Sequence, residues 1–268
     1  MYGVPEAAAN LPGMDIVTWN VNSVRARLPR LLEFLETRKP DVVCLQETKV
    51  VDELFPREPI EELGYNIEIF GQKTYNGVAI LSRSSMEAVT RGFPGDTEED
   101  QKRVMGAIID GVMILNLYVV NGKAVGDEKY DFKLQWLEKL HQMVVEGYPM
   151  TEKVVLTGDF NITFDDRDVH DPDAWRDKIL CSLPEREALA KIMKPGLVDA
   201  FRHFHEEDES YTWWDFRTRG FQRGNGLRID HFLVSKTALD ASEDVWIDTD
   251  FRAGEKPSDH APVFLRMN

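Results

Sequence analysis

Seven short apolar runs set the terms on which this 268-residue chain can fold. They lie at residues 16–19, 41–45, 77–81, 112–118, 154–157, 228–234 and 262–265 and are rich in Val, Ile, Leu and aromatics. Their length suits strands rather than helices. Several are apolar at consecutive positions, whereas a strand with one wet face alternates apolar and polar residues. Such runs predict strands covered on both faces. Helical periodicity is confined to three places. Leu31, Leu32 and Leu35 share a face in a segment that starts at Pro29, a residue suited to a first turn. Phe132, Trp136, Leu137, Leu140 and Val144 mark the apolar face of a second helix from Glu128. Residues 185–193 give a third, weaker one. Strands mixed with a few helices, without regular alternation, predict an α/β or α+β fold of packed sheets between helices.

No Pro/Gly/Ser linker divides the chain, so residues 14–268 read as one domain. Residues 1–13 lack periodicity and stop before Met14; they read as a tail, an alternative start or an appended remnant. No apolar run approaches the roughly 18 residues of a membrane span. The first residues lack the basic start and apolar segment of a secretory signal. Cys44 and Cys181 make neither a disulfide framework nor a zinc spacing, which fits a reduced cytoplasmic setting. Lys and Arg number 32 against 47 Asp and Glu, a net charge of −15. A polyanionic partner would therefore be repelled at long range, and local arginines or bound cations must overcome that field.

The chemistry-bearing side chains sit where the strands stop. The first run leads into Asn20 and Asn22, the second into Glu47, the fourth into Tyr118 and Asn121. The fifth leads into Asp159 and Asn161, Asp230 and His231 fall in the sixth, and Asp259 and His260 precede the last. Loops at strand ends are where rigid scaffolds carry function. Asn20, Glu47, Asp159, Asn161 and Asp259, with His260, form an oxygen-rich set that suits Mg²⁺ or Mn²⁺ at a phosphate site rather than zinc. Asp230 is a candidate to orient His260, whose imidazole would then take a proton from water. In the segment YTWWDFRTRGFQRGNGLRID, residues 211–230, Trp213, Trp214, Phe216 and Phe221 interleave with Arg217, Arg219, Arg223 and Arg228. Aromatics among arginines are the composition of a nucleic-acid-contacting loop. Arg25, Arg27 and Arg30 form a second basic group, and Lys102 and Arg103 are scattered candidates.

These motifs resemble exodeoxyribonuclease III and the related apurinic/apyrimidinic endonucleases. The resemblance is carried by WNVNSVRAR (19–27), PDVVCLQETK (40–49), GVAILSR (77–83), NLYVVNG (116–122), GDFNI (158–162), GLRID (226–230) and KPSDHAPV (256–263). They stand in the family's order and cover residues 14–268. The resemblance implies a four-layered αββα sandwich of the deoxyribonuclease I type, with two packed mixed sheets flanked by helices. It implies a Mg²⁺- or Mn²⁺-dependent hydrolase of base excision repair: a 3′-to-5′ exonuclease on double-stranded DNA and an abasic-site endonuclease that also cleans 3′ ends. A monomer is expected. By the same match, Asn20 and Glu47 are metal-side ligands and Tyr118 contacts the scissile phosphate. Asp159 and Asn161 flank the reacting oxygens, and Asp230 orients His260 beside Asp259. Trp213 and Leu227 frame the abasic-sugar pocket. Asn22, Arg25, Lys49, Arg103, Asn121, Arg217 and Arg223 complete the expected DNA contacts. His231 stands where relatives commonly carry a larger apolar residue. Two other readings remain open at this point: an inositide- or phospholipid-phosphate hydrolase of the same superfamily, and a catalytically silent DNA-binding module. The first predicts a membrane-docking loop or a phosphoinositide pocket, the second lost ligands.

Overall fold

The computed structural model describes residues 13–207 and 209–268; all but one of the positions assigned to the tail, residues 1–12, lie outside them. Among the described residues twelve strands are formed: β1 (Met14–Asn20), β2 (Val42–Gln46), β3 (Asn66–Phe70), β4 (Val78–Ser82), β5 (Glu87–Arg91), β6 (Val104–Ile109), β7 (Val112–Tyr118), β8 (Val154–Asp159), β9 (Leu197–Asp199), β10 (Asp230–Ser235), β11 (Ser242–Ile247) and β12 (Val263–Met267). They make two six-stranded sheets, ordered β11-β12-β1-β2-β4-β3 and β5-β6-β7-β8-β10-β9. Each is mixed: β1 pairs parallel with β2, and β7 with β8, while the other pairings are antiparallel.

The consecutive apolar residues do cover two faces. In β1, Ile16 points into the space between the sheets and Val17 points outward. In β2, Val42 and Cys44 point in while Val43 and Leu45 point out; in β8, Val155 points in while Val154 and Leu156 point out. The outward row of the first sheet packs on Leu31, Phe34 and Leu35 of the helix Val24–Arg38. That of the second packs on the helices Glu128–Gly147 and Leu183–Met193. Helix, sheet, sheet and helix are thus stacked in four layers, the expected αββα sandwich. Among the described residues no helix is long and apolar enough to cross a membrane.

Along the inward rows the chemistry changes. β1 runs Ile16, Thr18, Asn20; β2 runs Val42, Cys44, Gln46; β7 runs Ile114, Asn116, Tyr118; β8 runs Val155, Thr157, Asp159. The interface is apolar at one end and polar at the other. Buried amides bridge the sheets there. Gln46 Nε2 donates to Thr18 Oγ1 at 3.0 Å and to Asn116 Oδ1 at 2.7 Å. Asn116 Nδ2 in turn donates to the carbonyls of Leu45 and Ala79. Gly158 lets β7 and β8 meet: at φ +144°, an added Cβ would lie 1.9 Å from the Leu117 carbonyl oxygen.

Three expectations are corrected. Pro29 does not begin its helix but lies inside it, because the helix starts five residues earlier at buried Val24, capped by Ser23. An interior proline costs about 3 kcal/mol, offset here by the packing of Leu31, Phe34 and Leu35. On the helix Glu128–Gly147, Phe132 is 42% exposed, while Lys133 beside it is fully buried. Arg228, read as part of a positive island, is also buried and belongs to a structural network. Its Nε meets Asp168 at 2.8 Å and its Nη2 meets Asp199 at 2.7 Å, while Arg202 also pairs with Asp168. Burial alone would raise Asp168, but Arg228 and Arg202 hold its carboxyl far below the usual range. His231 completes this network: Nδ1 accepts from Arg228 Nη1 at 3.1 Å and Nε2 donates to the Ile162 carbonyl at 2.7 Å. Burial, reinforced by the Arg228 charge, pushes its pKa down to about 4, so it stays neutral.

Removing one partner from a buried ion network typically costs about 3–5 kcal/mol. Arg228→Met is expected to lower unfolding stability by about that amount, measured by urea denaturation. A loss within error would show that Asp168 and Asp199 are satisfied without it.

Candidate active site

The polar ends of the inward rows meet at one edge of the sandwich. Tyr118 at the end of β7, Asp159 at the end of β8 and Asp230 at the start of β10 lie side by side in one row, because strand register pairs Asp159 with both neighbours. Asn20 closes the row from the opposite sheet: its Nδ2 donates to Asp159 Oδ2 at 2.9 Å and to Glu47 Oε1 at 2.8 Å. The loops after β1 and β2 are tied together by Ser23 N to Glu47 O at 2.8 Å and Val24 N to Thr48 O at 3.2 Å. Asn22, Ser23, Glu47, Lys49 and Asn161 all adopt positive φ, between 46° and 87°. Non-glycine residues reach that region at a cost, and such strain clusters at functional sites.

His260 enters from the segment before β12. Its backbone N–H donates to Ser258 Oγ, which donates to the Asn20 carbonyl at 2.6 Å. Its Nδ1 lies 2.9 Å from Asp230 Oδ2, which fixes the tautomer and leaves Nε2 facing Asp159 Oδ2 at 3.7 Å. Burial disfavours the charged imidazole, yet Asp230, Asp159 and Asp259 outweigh it and raise the His260 pKa to about 10. Burial raises the Asp159 carboxyl to about 7; His260 opposes this, and Asp230 and Glu47 add to it. Glu47 is held low in spite of burial, chiefly by Lys49, whose Nζ lies 2.7 Å from Oε2. Burial, with Glu47 next, keeps the Tyr118 hydroxyl far above its ordinary value, so it remains a donor.

Six residues were expected to surround a cation, and the structure separates them into two groups. Ligand atoms of Glu47, Asp159 and His260 lie within 4.8 Å of one another. The other three are engaged elsewhere. Asn20 turns its nitrogen toward the two carboxylates, while its Oδ1 accepts from Asn22 N. Asn161 Oδ1 accepts from Asn121 Nδ2 at 2.9 Å, and its Nδ2 donates to the Val119 carbonyl at 3.1 Å. Asp259 accepts from Asn22 Nδ2 at 2.9 Å and from Trp213 Nε1 at 3.0 Å. Two carboxylates in a recess negative enough to raise the pKa of the imidazole beside them are a setting that a hard divalent cation satisfies, with the carboxylate oxygens as its donors.

The expected DNA contacts also divide. Arg25 and Arg223 are exposed, as is Asn121, and Arg217 is exposed but paired with Asp215 at 3.0 Å. Lys49 bridges Glu47 and Asn22 Oδ1 within the recess. Arg103 is buried instead of projecting: its guanidinium lies 4.4 Å from the Tyr118 ring centroid and Nη1 donates to the Tyr118 carbonyl. Trp213 is half-buried at the site edge, but Leu227 has no exposed surface. It packs with Val169, Leu180 and Ile229 beneath Trp213, and so supports the expected pocket without lining it. One positioning group escaped sequence reasoning. Buried Lys133, ion-paired with Glu185, donates to the carbonyls of Asn121 at 3.2 Å and Asn161 at 2.7 Å. Its place one turn before Trp136 and Leu137 was the available signal.

In metal-free protein, His260 should stay protonated through neutral pH and deprotonate as pH rises through about 10. Its raised value makes the charged form stabilising below the ordinary 6.5, a contribution lost on the way up to 10. NMR titration of the imidazole reads this directly, and Asp230→Asn should move the midpoint down. A wild-type midpoint near 6.5 would contradict the assignment.

Comparison with known proteins follows the same lines. The Endonuclease/Exonuclease/phosphatase family model matches residues 17–260. The chain is 38% identical over 266 residues to an exodeoxyribonuclease III of Haemophilus influenzae, covering 95% of this chain and 100% of that protein. Two solved structures superpose with a TM-score of 0.92. One is a 3′ phosphatase from Neisseria bound to a product DNA hairpin, at 44% identity over 95% of this chain and 99% of the other. The second is an AP endonuclease from Archaeoglobus fulgidus, at 36% identity with the same coverage.

Proposed function

Since the chain belongs to the endonuclease/exonuclease/phosphatase family, we propose that it is a metal-dependent DNA-repair hydrolase acting on abasic sites and 3′ ends of double-stranded DNA. It combines 3′-to-5′ exonuclease, abasic-site endonuclease and 3′-end-cleaning activities, and works as a monomer in the cytoplasm. The observation that carries this reading is the convergence of Glu47, Asp159 and His260 in one recess, with Asp230 behind the imidazole. The proteins it resembles are named for these activities.

Glu47 and Asp159, with His260 beside them, would hold Mg²⁺ or Mn²⁺. Such a cation offsets phosphate charge and stabilises the leaving oxygen. The chain's own groups supply the rest. Water attacks phosphorus in line with the departing 3′-oxygen. The cation's charge would favour the neutral imidazole, so that the water's proton passes to His260 Nε2 or to Asp159 Oδ2, which face each other at 3.7 Å. Asp230 keeps Nε2 aimed inward and stabilises the imidazolium. The Tyr118 hydroxyl donates to a phosphate oxygen as charge builds there, and the Asn161 amide sits beside it. Trp213, held by Asp259, forms the wall against which an extruded sugar packs.

The test is cleavage of a duplex carrying one abasic site beside a blunt duplex, with Mg²⁺ and with excess EDTA. Chelation should abolish both reactions. His260→Ala should slow turnover by about 10² to 10⁴, the scale of a positioned acid–base group. Trp213→Ala should depress abasic-site cleavage more than end digestion. Undiminished cleavage in EDTA would sink the reading.

A further inference from the structure

Among the described residues, Arg252 is a buried arginine that no carboxylate or carbonyl holds by a hydrogen bond. It belongs to a short helix, Thr249–Arg252, and is 5% exposed. Among the described residues its guanidinium makes no hydrogen bond or ion pair, and its Nε is buried without a partner. Other buried arginines differ: Arg228 is held by two carboxylates and Arg103 by the Tyr118 carbonyl. Leaving a buried charged donor unpaired is costly. What surrounds Arg252 is aromatic. Its guanidinium carbon lies 4.6 Å from the Phe221 ring centroid, 5.3 Å from that of Phe216 and 5.7 Å from that of Trp214. These faces hold the group in place without using its N–H donors.

Arg252 lines a pocket of about 370 Å³, walled also by Phe216, Phe221, Arg219, Gln222 and Pro257. Arg219 is exposed and adopts a left-handed conformation at φ 53°. Asp215 borders the pocket too, but its two oxygens are taken by Arg217 at 3.1 and 3.0 Å. One wall is therefore the segment that carries Trp213, and the other carries Asp259, two residues beyond Pro257. Two residues span at most about 7 Å, so the pocket abuts the candidate active site.

We propose that this pocket is a subsite for a non-scissile backbone phosphate of the bound DNA strand, with Arg252 as its fixed donor and Arg219 and Gln222 closing over it. The inference rests on the DNA-hydrolase reading. A planar guanidinium with free N–H groups matches the two non-bridging oxygens of a phosphodiester. The aromatic surround keeps the arginine rigid and excludes competing water. In a chain of net charge −15, a preformed cationic socket next to the recess supplies the local attraction that the global field denies.

The experiment measures affinity in EDTA for duplexes carrying one abasic site, each with a single neutral methylphosphonate linkage at a successive position. Wild-type protein should lose affinity at several linkages. In Arg252→Met the penalty at one non-scissile linkage should vanish, and the salt slope should fall by about 1. Arg219→Gly, which suits the left-handed backbone and preserves the fold, should shrink the penalty at that same linkage. Identical profiles in all three proteins would overturn the proposal and leave Arg252 a packing element. Competition by inorganic phosphate that depends on Arg252, with unchanged profiles, would assign the pocket to the free ion and overturn it too. Failure of the wild type to bind any duplex would instead defeat the underlying DNA reading.

Discussion

The structure depends on one buried layer, the row of side chains that the two sheets turn toward each other. Over most of its length this layer is apolar, and there it supplies cohesion in proportion to the area removed from water. Toward one edge it becomes polar, and every polar group placed there must find a partner. The amides of Gln46 and Asn116 do so across the sheets, although Gln46 Oε1 is left without one. Beyond them Asn20 joins Glu47 to Asp159, and Asp230 holds His260. The carboxylates gather because β-strand alternation and register bring them to a common edge, and their low-dielectric surroundings make them respond strongly to a cation or a proton.

That arrangement also explains how so acidic a chain works on a polyanion. Arg103, Arg228 and Arg252 are withdrawn from the surface, each to a different end. Arg228 locks three segments around Asp168 and Asp199, and Arg103 braces Tyr118. Arg217, Arg219 and Arg223 are exposed on the segment that follows Trp213, with Arg217 paired to Asp215. In the proposed function, binding relies on few, well-placed contacts and a bound cation rather than on a diffuse basic face.

Most central strands, and the residues that meet at the recess, were legible in the sequence for one reason: both are written in local pattern. Buried strands are continuous apolar runs, and the polar groups interrupt them at fixed places. The four edge strands β3, β5, β9 and β11 were not visible. An edge strand has less to bury: β5 exposes four of its five residues, and its run carries no strand signature. β6 is interior, but Gly106 breaks its apolar run. Side-chain partnerships were the other blind spot. Nothing local shows that Lys133 is buried on Glu185 while Phe132 faces water, or that Leu227 supports Trp213 from below. Those outcomes depend on contacts between segments that are separate in the sequence, 52 residues apart for Lys133 and Glu185. Motif resemblance named Leu227, and charge alone singled out Arg103, but only packing shows how they act.

The central claim is that Glu47, Asp159 and His260 form one cation site at the polar end of the inter-sheet layer. Anomalous diffraction from crystals soaked in Mn²⁺ tests it most directly. A manganese peak within bonding distance of Glu47 and Asp159, weakened in Glu47→Gln, is the result expected. A well-diffracting soak with no peak in the recess, or with manganese held only by surface carboxylates elsewhere, would contradict the account.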